Sequence, residues 1–374
     1  MSYPKIEILF LNEEDMIKAG VTDMKRCVEV MEEAYELLGT GDYLMGGKNA
    51  NSHGQMIVFP EKSDFPNMPL AGPDRRFMSM ISYVGGRFNV CGEKWYGSNR
   101  ENLEKGLPRS ILLTILNDAK TGAPLTIQSA NLLSAYRTGA IPGVGAKYLT
   151  RKGSKVLGLV AAGPIARTSF MGISEGYPNL EVVKIFDINK EASKALAKFI
   201  EETYPQYKEI IIVDSMEEAV RDSDIVNIAA SGKVTPELKE EWIKKGALVS
   251  LPAAIILDKD FVINRSRVVV DNWKMYEAYR DELDYPYTEI GSVTLDRYLL
   301  DWIEEGEITK DFITDLGDIV VDQSKGRKND DEIIFFVMGG QPIYDVTWGY
   351  TCYEKAKELG LGQLLKLWDE PLLK

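Results

Sequence analysis

Lys155-Val-Leu-Gly-Leu-Val-Ala-Ala-Gly-Pro-Ile-Ala-Arg167 runs from an apolar strand through a tight turn into the start of a helix. Such a turn holds a dinucleotide when it carries glycines spaced G-x-G-x-x-G/A. The first glycine tightens the turn, the second lets the backbone approach the pyrophosphate, and the third packs helix on strand. The three positions here are Ala161, Gly163 and Ala166. Alanine is an accepted variant at the third, and Gly163 supplies the middle. Ala161 is the departure, because its methyl crowds the turn. Pro164 compensates in part, since proline suits the first helical position and leaves the later N–H groups, from Ile165 on, for an anion. The next strand ends at Asp187, 24 residues beyond Gly163, with Ile188 after it. An acid there accepts the adenosine ribose hydroxyls and repels a 2′-phosphate, which selects NAD over NADP. The competing reading is a sheet that has kept the fold and lost the ligand.

The rhythm around this loop decides between them. Short β-branched runs recur at KVLGLVA, EVVKIFD, EIIIVD, DIVNIAA, GALVSLP and RVVVDN between residues 155 and 271. Charged amphipathic stretches, Lys190 to Glu202, Met216 to Arg221 and Pro236 to Lys245, lie between them. Continuous apolar strands alternating with helices predict a doubly wound parallel sheet covered on both faces. The first 135 residues differ. IEILFL reads as a strand, and Thr22 as the cap of a helix with Cys27, Val28, Met31, Ala34, Tyr35 and Leu38 on one face. QMIVFP, FMSMISYV, SILLTILND and PLTIQSA read as strands, the last two joined by the hairpin turn AKTGAP. Beyond residue 305 the alternation is expected to break, with DEIIFFV and a helix over 343–359 rejoining the first domain. The expected domains are 1–137 with 320–374, and 138–319.

The 374-residue chain has 44 basic and 57 acidic residues, a formal charge of -13. That disfavours nucleic acid and anionic membrane as partners, since both need a basic face. No apolar run approaches a membrane span, and the N-terminus lacks the pattern of a secretion signal. Cys27, Cys91 and Cys352 are too dispersed for a disulfide framework or a zinc knuckle, and His53 is the only histidine. No metal site is expected, and the setting is read as a reducing cytoplasm.

Three stretches carry candidate substrate chemistry. In Cys91-Gly-Glu-Lys-Trp-Tyr-Gly-Ser-Asn99, a lysine walled by aromatics would have a depressed pKa and transfer a proton near neutrality; the alternative is a solvated Lys94 beside a packed Trp95. In Asn131-Leu-Leu-Ser-Ala-Tyr-Arg-Thr-Gly-Ala140, Arg137 is set to grip a carboxylate and Thr138 to reach a phosphate. The alternative is an arginine covering a helix face. Pro142 and the nearby glycines predict a poor helix. In Met45-Gly-Gly-Lys-Asn-Ala-Asn-Ser-His53, Lys48 offers a second cationic contact, while His53 reads as structural.

Together these residues resemble the ornithine cyclodeaminase/mu-crystallin family. The resemblance runs through LNEEDM, GEKWYGSN, LNDAKTGAPL, LLSAYRTGA, the nucleotide loop, IFDIN, DIVNIAAS and the tail DEIIFFVMGGQPIYDVTWGYTCYEKAKELGLG. Within the family it is similar to a subgroup associated with tyramine oxidase as one of its subunits. The resemblance implies a homodimer whose substrate domain, built from both chain ends, flanks a central NAD(P) domain. It implies hydride transfer between nicotinamide and an amino acid, amine or imine. It also implies that Lys94 and Arg137 bind substrate and that Lys48 sits near another cationic position. Trp95 would wall the substrate, and Gly163, Asp187, Ala230 and Ser231 would contact cofactor. Cyclodeaminating members carry an aspartate that aligns with Ala254, in Ser250-Leu-Pro-Ala-Ala-Ile-Ile256. A methyl can neither take a proton nor hold an ammonium.

Three readings follow: an NAD-dependent oxidoreductase with Lys94 and Arg137 as its catalytic pair; an ornithine cyclodeaminase in which Asp258 or Glu93 replaces the missing acid; and a non-catalytic binding or accessory protein. The stretch from Phe65 to Arg87 is expected to form a lid or a dimer contact.

Overall fold

The computed structural model describes residues 5–232, 234–289 and 294–373. The chain divides into two compact units, Met1–Asp23 with Asp42–Arg137 and Gln341–Lys374, and Met24–Gly41 with Thr138–Gly340.

The first unit holds β1 (Ile6–Leu11), β2 (Tyr43–Met45), β3 (Gln55–Val58), β4 (Arg76–Val84), β5 (Val90–Ser98), β6 (Ser110–Asp118) and β7 (Pro124–Ser129). A C-terminal strand, Gln363–Trp368, adds to β1, and the order runs from it through β1, β7, β6, β5 and β4 to β2, with β3 also on β4. All of these pairs are antiparallel except β1 with β7, which is parallel. The expected β6–β7 hairpin is present, with Gly122 at φ 74° where the turn needs a left-handed residue. GEKWYGSN, given no secondary structure above, lies, apart from its last residue, in strand β5, inside the sheet between β4 and β6. The stretch expected as a lid or a dimer contact is in its second half strand β4.

One face of this sheet is covered by the helix Pro342–Leu359, whose Ile343, Tyr344, Asp345, Val346 and Trp348 are buried. Gly349 of that helix faces Gln128 and Thr114, and Gln128 donates to its carbonyl at 3.0 Å. The opposite face exposes Ile81, Phe77, Trp95, Ile111 and Leu113.

The second unit holds β8 (Val156–Val160), β9 (Val182–Phe186), β10 (Glu209–Ile212), β11 (Ile225–Ile228), β12 (Leu248–Leu251), β13 (Arg267–Val270), β14 (Ile313–Asp315) and β15 (Ile334–Val337). They lie in the order β10-β9-β8-β11-β12-β15-β13-β14, and every pair is parallel. The six expected strands are present in doubly wound order, which reverses between β8 and β11. DEIIFFV does not rejoin the first unit: all four residues of β15 are buried between β12 and β13. The alternation continues past residue 305, so residues 320–340 belong with the sheet. Met24–Thr40 also lies in this unit, where Gly39 meets Gly317 backbone to backbone. Pro236 to Lys245 forms only a short 3-10 turn at Glu240–Trp242, because Leu238 and Ile256 pair as extended chain.

Asn131–Leu149 is one unbroken helix despite Pro142. Its glycines have a packing reason. A β-carbon on Gly139 would strike the Thr168 backbone, and one on Gly143 the Gly172 carbonyl. Gly172 and Gly176, on the helix Pro164–Gly176, would likewise strike the Gly139 and Gly143 carbonyls. Four glycines therefore let two helix backbones touch, and tertiary contact overrides the weak helix propensity of this stretch. Gly172→Ala is expected to cost roughly 1–3 kcal/mol through overpacking, read as a lower urea midpoint at unchanged slope; an unaltered midpoint would mean the two helices part without cost.

Candidate active site

Side chains alternate across a strand, so β5 sends Lys94 and Tyr96 to one face of the sheet and Glu93 and Trp95 to the other. Lys94 sits on the covered face, between Met80 of β4 and Thr114 of β6. Only 4% of it is exposed. Its Nζ donates to Asp345 Oδ2 at 3.0 Å and lies 5.6 Å from the centre of the Tyr96 ring. Arg137 reaches the same carboxylate, Nε donating to Oδ1 at 3.1 Å, while its Nη2 donates to Ser134 Oγ at 3.5 Å. Asp345 is fully buried. Two cations thus share one carboxylate, each on its own oxygen. Burial, reinforced by the Arg137 charge, pushes the Lys94 ammonium down to about 8, while Asp345 pulls the other way.

Lys94 and Arg137, chosen from sequence, are therefore brought together. Trp95 is not with them. It lies on the opposite face, 37% exposed, stacked on Phe77 at 5.9 Å between centroids. Glu93 shares that outer face and accepts from Ser79 at 2.7 Å. Asp258 caps the helix Lys259–Arg265 by accepting from Phe261 N–H at 2.8 Å. Each acid thus has a local structural partner, Ser79 for Glu93 and the Phe261 N–H for Asp258. Lys48 is exposed on the loop between β2 and β3, a loop fastened by Tyr43 Oη donating to Asn51 at 2.5 Å. Asp345 is the residue that sequence reasoning missed; its signal was an acid embedded in the apolar run Pro-Ile-Tyr-Asp-Val.

In the second unit the nucleotide loop follows β8. Ala161 adopts φ 97°, the left-handed region that favours glycine. Its N–H donates to Phe186 O at 2.8 Å. The next residue, Ala162, donates to Asp187 Oδ2 at 2.7 Å, and Asp187 Oδ1 accepts from Asn189 N–H at 2.7 Å. Gly163 is the N-cap of the helix Pro164–Gly176, with no side chain capping it. A β-carbon on Gly163 would meet nothing within 4 Å. An open space before an uncapped helix N-terminus fits a pyrophosphate. Ile165 lies in the first helical turn, Ile188 is 88% exposed, and Ala230 and Ser231 follow the end of β11. β8, β9 and β11 are parallel neighbours, so these loops gather at the carboxyl end of the sheet, at its switch point. Thr138 follows Arg137 in the helix Asn131–Leu149. Among the described residues no group of three or more His, Cys, Asp or Glu is set to hold a metal, and no helix is long and apolar enough to cross a membrane.

The chain matches the model of the ornithine cyclodeaminase/mu-crystallin family over residues 20–360, and it belongs to that family. It is 28% identical over 366 residues, 97% of this chain and 99% of the other, to N-((2S)-2-amino-2-carboxyethyl)-L-glutamate dehydrogenase of Staphylococcus aureus. It is 26% identical over 367 residues, 96% of this chain and 99% of the other, to alanine dehydrogenase of Archaeoglobus fulgidus. The solved structure of Thermococcus litoralis Delta(1)-pyrroline-2-carboxylate reductase, in complex with NADH and L-proline, matches with a TM-score of 0.75 at 28% identity. That match covers 95% of this chain and 99% of the other.

The strained turn gives a direct test. Ala161→Gly is expected to raise stability by about 1 kcal/mol, because glycine adopts a positive φ without strain. Equal or lower stability in urea unfolding would show that the turn holds Ala161 without cost.

Proposed function

We propose that the protein is an NAD-dependent oxidoreductase that transfers hydride between the nicotinamide and an amino acid or cyclic imine. The observation that carries this is the pair of buried cations, Lys94 and Arg137, held on one carboxylate. The Arg137 Nε is spent on Asp345 and one Nη2 N–H makes a long bond to Ser134 Oγ, and the other terminal N–H groups are proposed to bind a substrate carboxylate. Lys94, with a pKa near 8, exchanges a proton with the substrate nitrogen close to neutrality in either direction. It protonates an imine as carbon is reduced, or takes the proton from an amine as carbon is oxidised. NAD, held at Gly163, Ile165 and Asp187, supplies the hydride acceptor, and its reduced form the donor. Each Asp187 oxygen has accepting capacity beyond its one backbone N–H, so the ribose hydroxyls can still be bound, and a 2′-phosphate is repelled. Lys48, Thr138, Ala230 and Ser231 are proposed as further contacts. The similarity to the tyramine oxidase subgroup would extend the substrates to amines without a carboxylate, and Arg137 speaks against that extension.

Purified protein is expected to bind NADH at micromolar concentration, read by quenching of tryptophan fluorescence, with NADPH at least about tenfold weaker. With NAD it is expected to oxidise L-proline or L-alanine, and Lys94→Ala to abolish this. Cofactor binding with no turnover across a panel of amino acids, amines and imines would refute the enzyme reading and favour a binding protein.

The active form is proposed to be a homodimer formed through the outer face of the first unit's sheet. Phe77, Trp95, Ile111 and Leu113 are exposed there and line, with Phe59, a hollow of about 470 Å³. A contiguous apolar face of this kind marks an interaction surface. Trp95 would then be an interface residue. Trp95→Glu should turn a particle of twice 41.9 kDa into a monomer by sedimentation at micromolar concentration; a variant that still sediments as a dimer would move the interface elsewhere.

A further inference from the structure

Asp345 lies at the centre of the cluster, fully buried, with one oxygen on each of the two cations. Resting on the reading of Lys94 and Arg137 as the substrate-binding pair, we propose that Asp345 is a positioning residue. It fixes the Lys94 ammonium and the Nε edge of Arg137, so that the remaining donors of both aim at the substrate.

Geometry carries this. A guanidinium presents five N–H donors in a rigid plane. An acceptor on Nε orients that plane, and the two terminal nitrogens, with one N–H of Nη2 at 3.5 Å from Ser134 Oγ, keep further N–H groups to form a fork for a carboxylate. A lysine ammonium has three donors on a flexible stem, and one bond to a buried carboxylate sets where the other two point. Asp345 supplies both constraints from a single side chain. Its own position is set by the helix Pro342–Leu359, which packs on the sheet through Gly349 and Val346, the latter against Gly92 of β5. Any change of helix register would move both cations together.

The same carboxylate decides the protonation of Lys94. The charged groups acting on Lys94 are Arg137, from the helix Asn131–Leu149, and Asp345, from the helix Pro342–Leu359. The Tyr96 ring faces it from its own strand. Its cross-strand neighbours, Met80 and Thr114, carry no charge. Burial and Arg137 both favour the neutral amine, and only Asp345 favours the ammonium. Without Asp345, Lys94 would be neutral at working pH and unable to donate a proton.

A role confined to packing would leave the titration of Lys94 where it is, so that titration is the measurement. The full-length protein is labelled with acetic anhydride across a pH series, and acetylation of the Lys94 peptide is followed by mass spectrometry. In wild type the midpoint is expected near 8. In Asp345→Asn it is expected to fall by about one to three on the pH scale, with Asp345→Glu restoring much of the difference. An unmoved midpoint in Asp345→Asn, or no recovery in the Glu variant, overturns the proposal. Should Asp345→Asn fail to fold, Arg137→Gln reads the same coupling from the other side. Removing that charge should raise the Lys94 midpoint, and no rise overturns the proposal. Oxidation of L-proline and L-alanine with NAD separates this from the functional reading. Absence of turnover in wild type with the expected midpoints would defeat the reaction assigned above and leave the positioning of Lys94 standing.

Discussion

One carboxylate reconciles two buried cations, and the first unit is arranged around that fact. Ionised groups removed from water cost several kcal/mol each unless paired. Lys94 and Arg137 are 4% and 5% exposed, and they are held by Asp345, which comes from more than 200 residues further along the chain. A cluster assembled from such distant segments explains why the unit needs both chain ends. β5 brings the lysine, the helix Asn131–Leu149 brings the arginine, and the helix Pro342–Leu359 brings the acid. Loss of the acid would leave Arg137 a buried charge without its partner and drive Lys94 to the neutral amine, a defect that costs about 3–5 kcal/mol in comparable settings. The site is accordingly expensive to fold and is built for more than stability.

The second unit solves a different problem, a tight turn made without its usual glycine. Ala161 is held at φ 97°, a conformation that costs an L-residue roughly 1–2 kcal/mol. Two hydrogen bonds to the neighbouring strand hold it there, from Ala161 to Phe186 O and from Ala162 to the Asp187 carboxylate. Asp187 is thus a brace for the loop as well as the proposed contact for the ribose. The departure from the glycine pattern moves the strain into one residue and leaves Gly163 open, as a bound pyrophosphate requires.

What the sequence made legible was periodic or local. The β-branched runs gave the parallel sheet, the turn Ala119 to Pro124 gave the hairpin, and the flanking residues of Lys94 and Arg137 marked both as unusual cations. What it hid was set by distance and by parity. Trp95 adjoins Lys94 in sequence, and only the knowledge that this segment is a strand, with glycines at 92 and 97, sends the two to opposite faces. β15 is separated from its neighbour β12 by the whole of β13 and β14, so no local pattern places it between β12 and β13. The glycines at 139 and 143 looked like helix breakers because the partners that need them, Gly172 and Gly176, lie on the next helix. Asp345 carried no local signature beyond apolar neighbours.

The charge of the cluster bears on the substrates proposed for it. With Lys94 protonated, the cluster of Lys94, Arg137 and Asp345 carries one net positive charge, and with Lys94 neutral it carries none. A substrate with one carboxylate and one nitrogen at the reacting carbon balances the first state and delivers the second after proton transfer. A diamine acid such as ornithine brings a further ammonium, which needs an acid of its own. Glu93 faces away on the outer side of β5, Asp258 is occupied at a helix N-terminus, and Ala254 offers a methyl. The cluster itself holds one carboxylate, already shared by two cations, so its charge balance favours a simple amino acid or cyclic imine over a diamino acid.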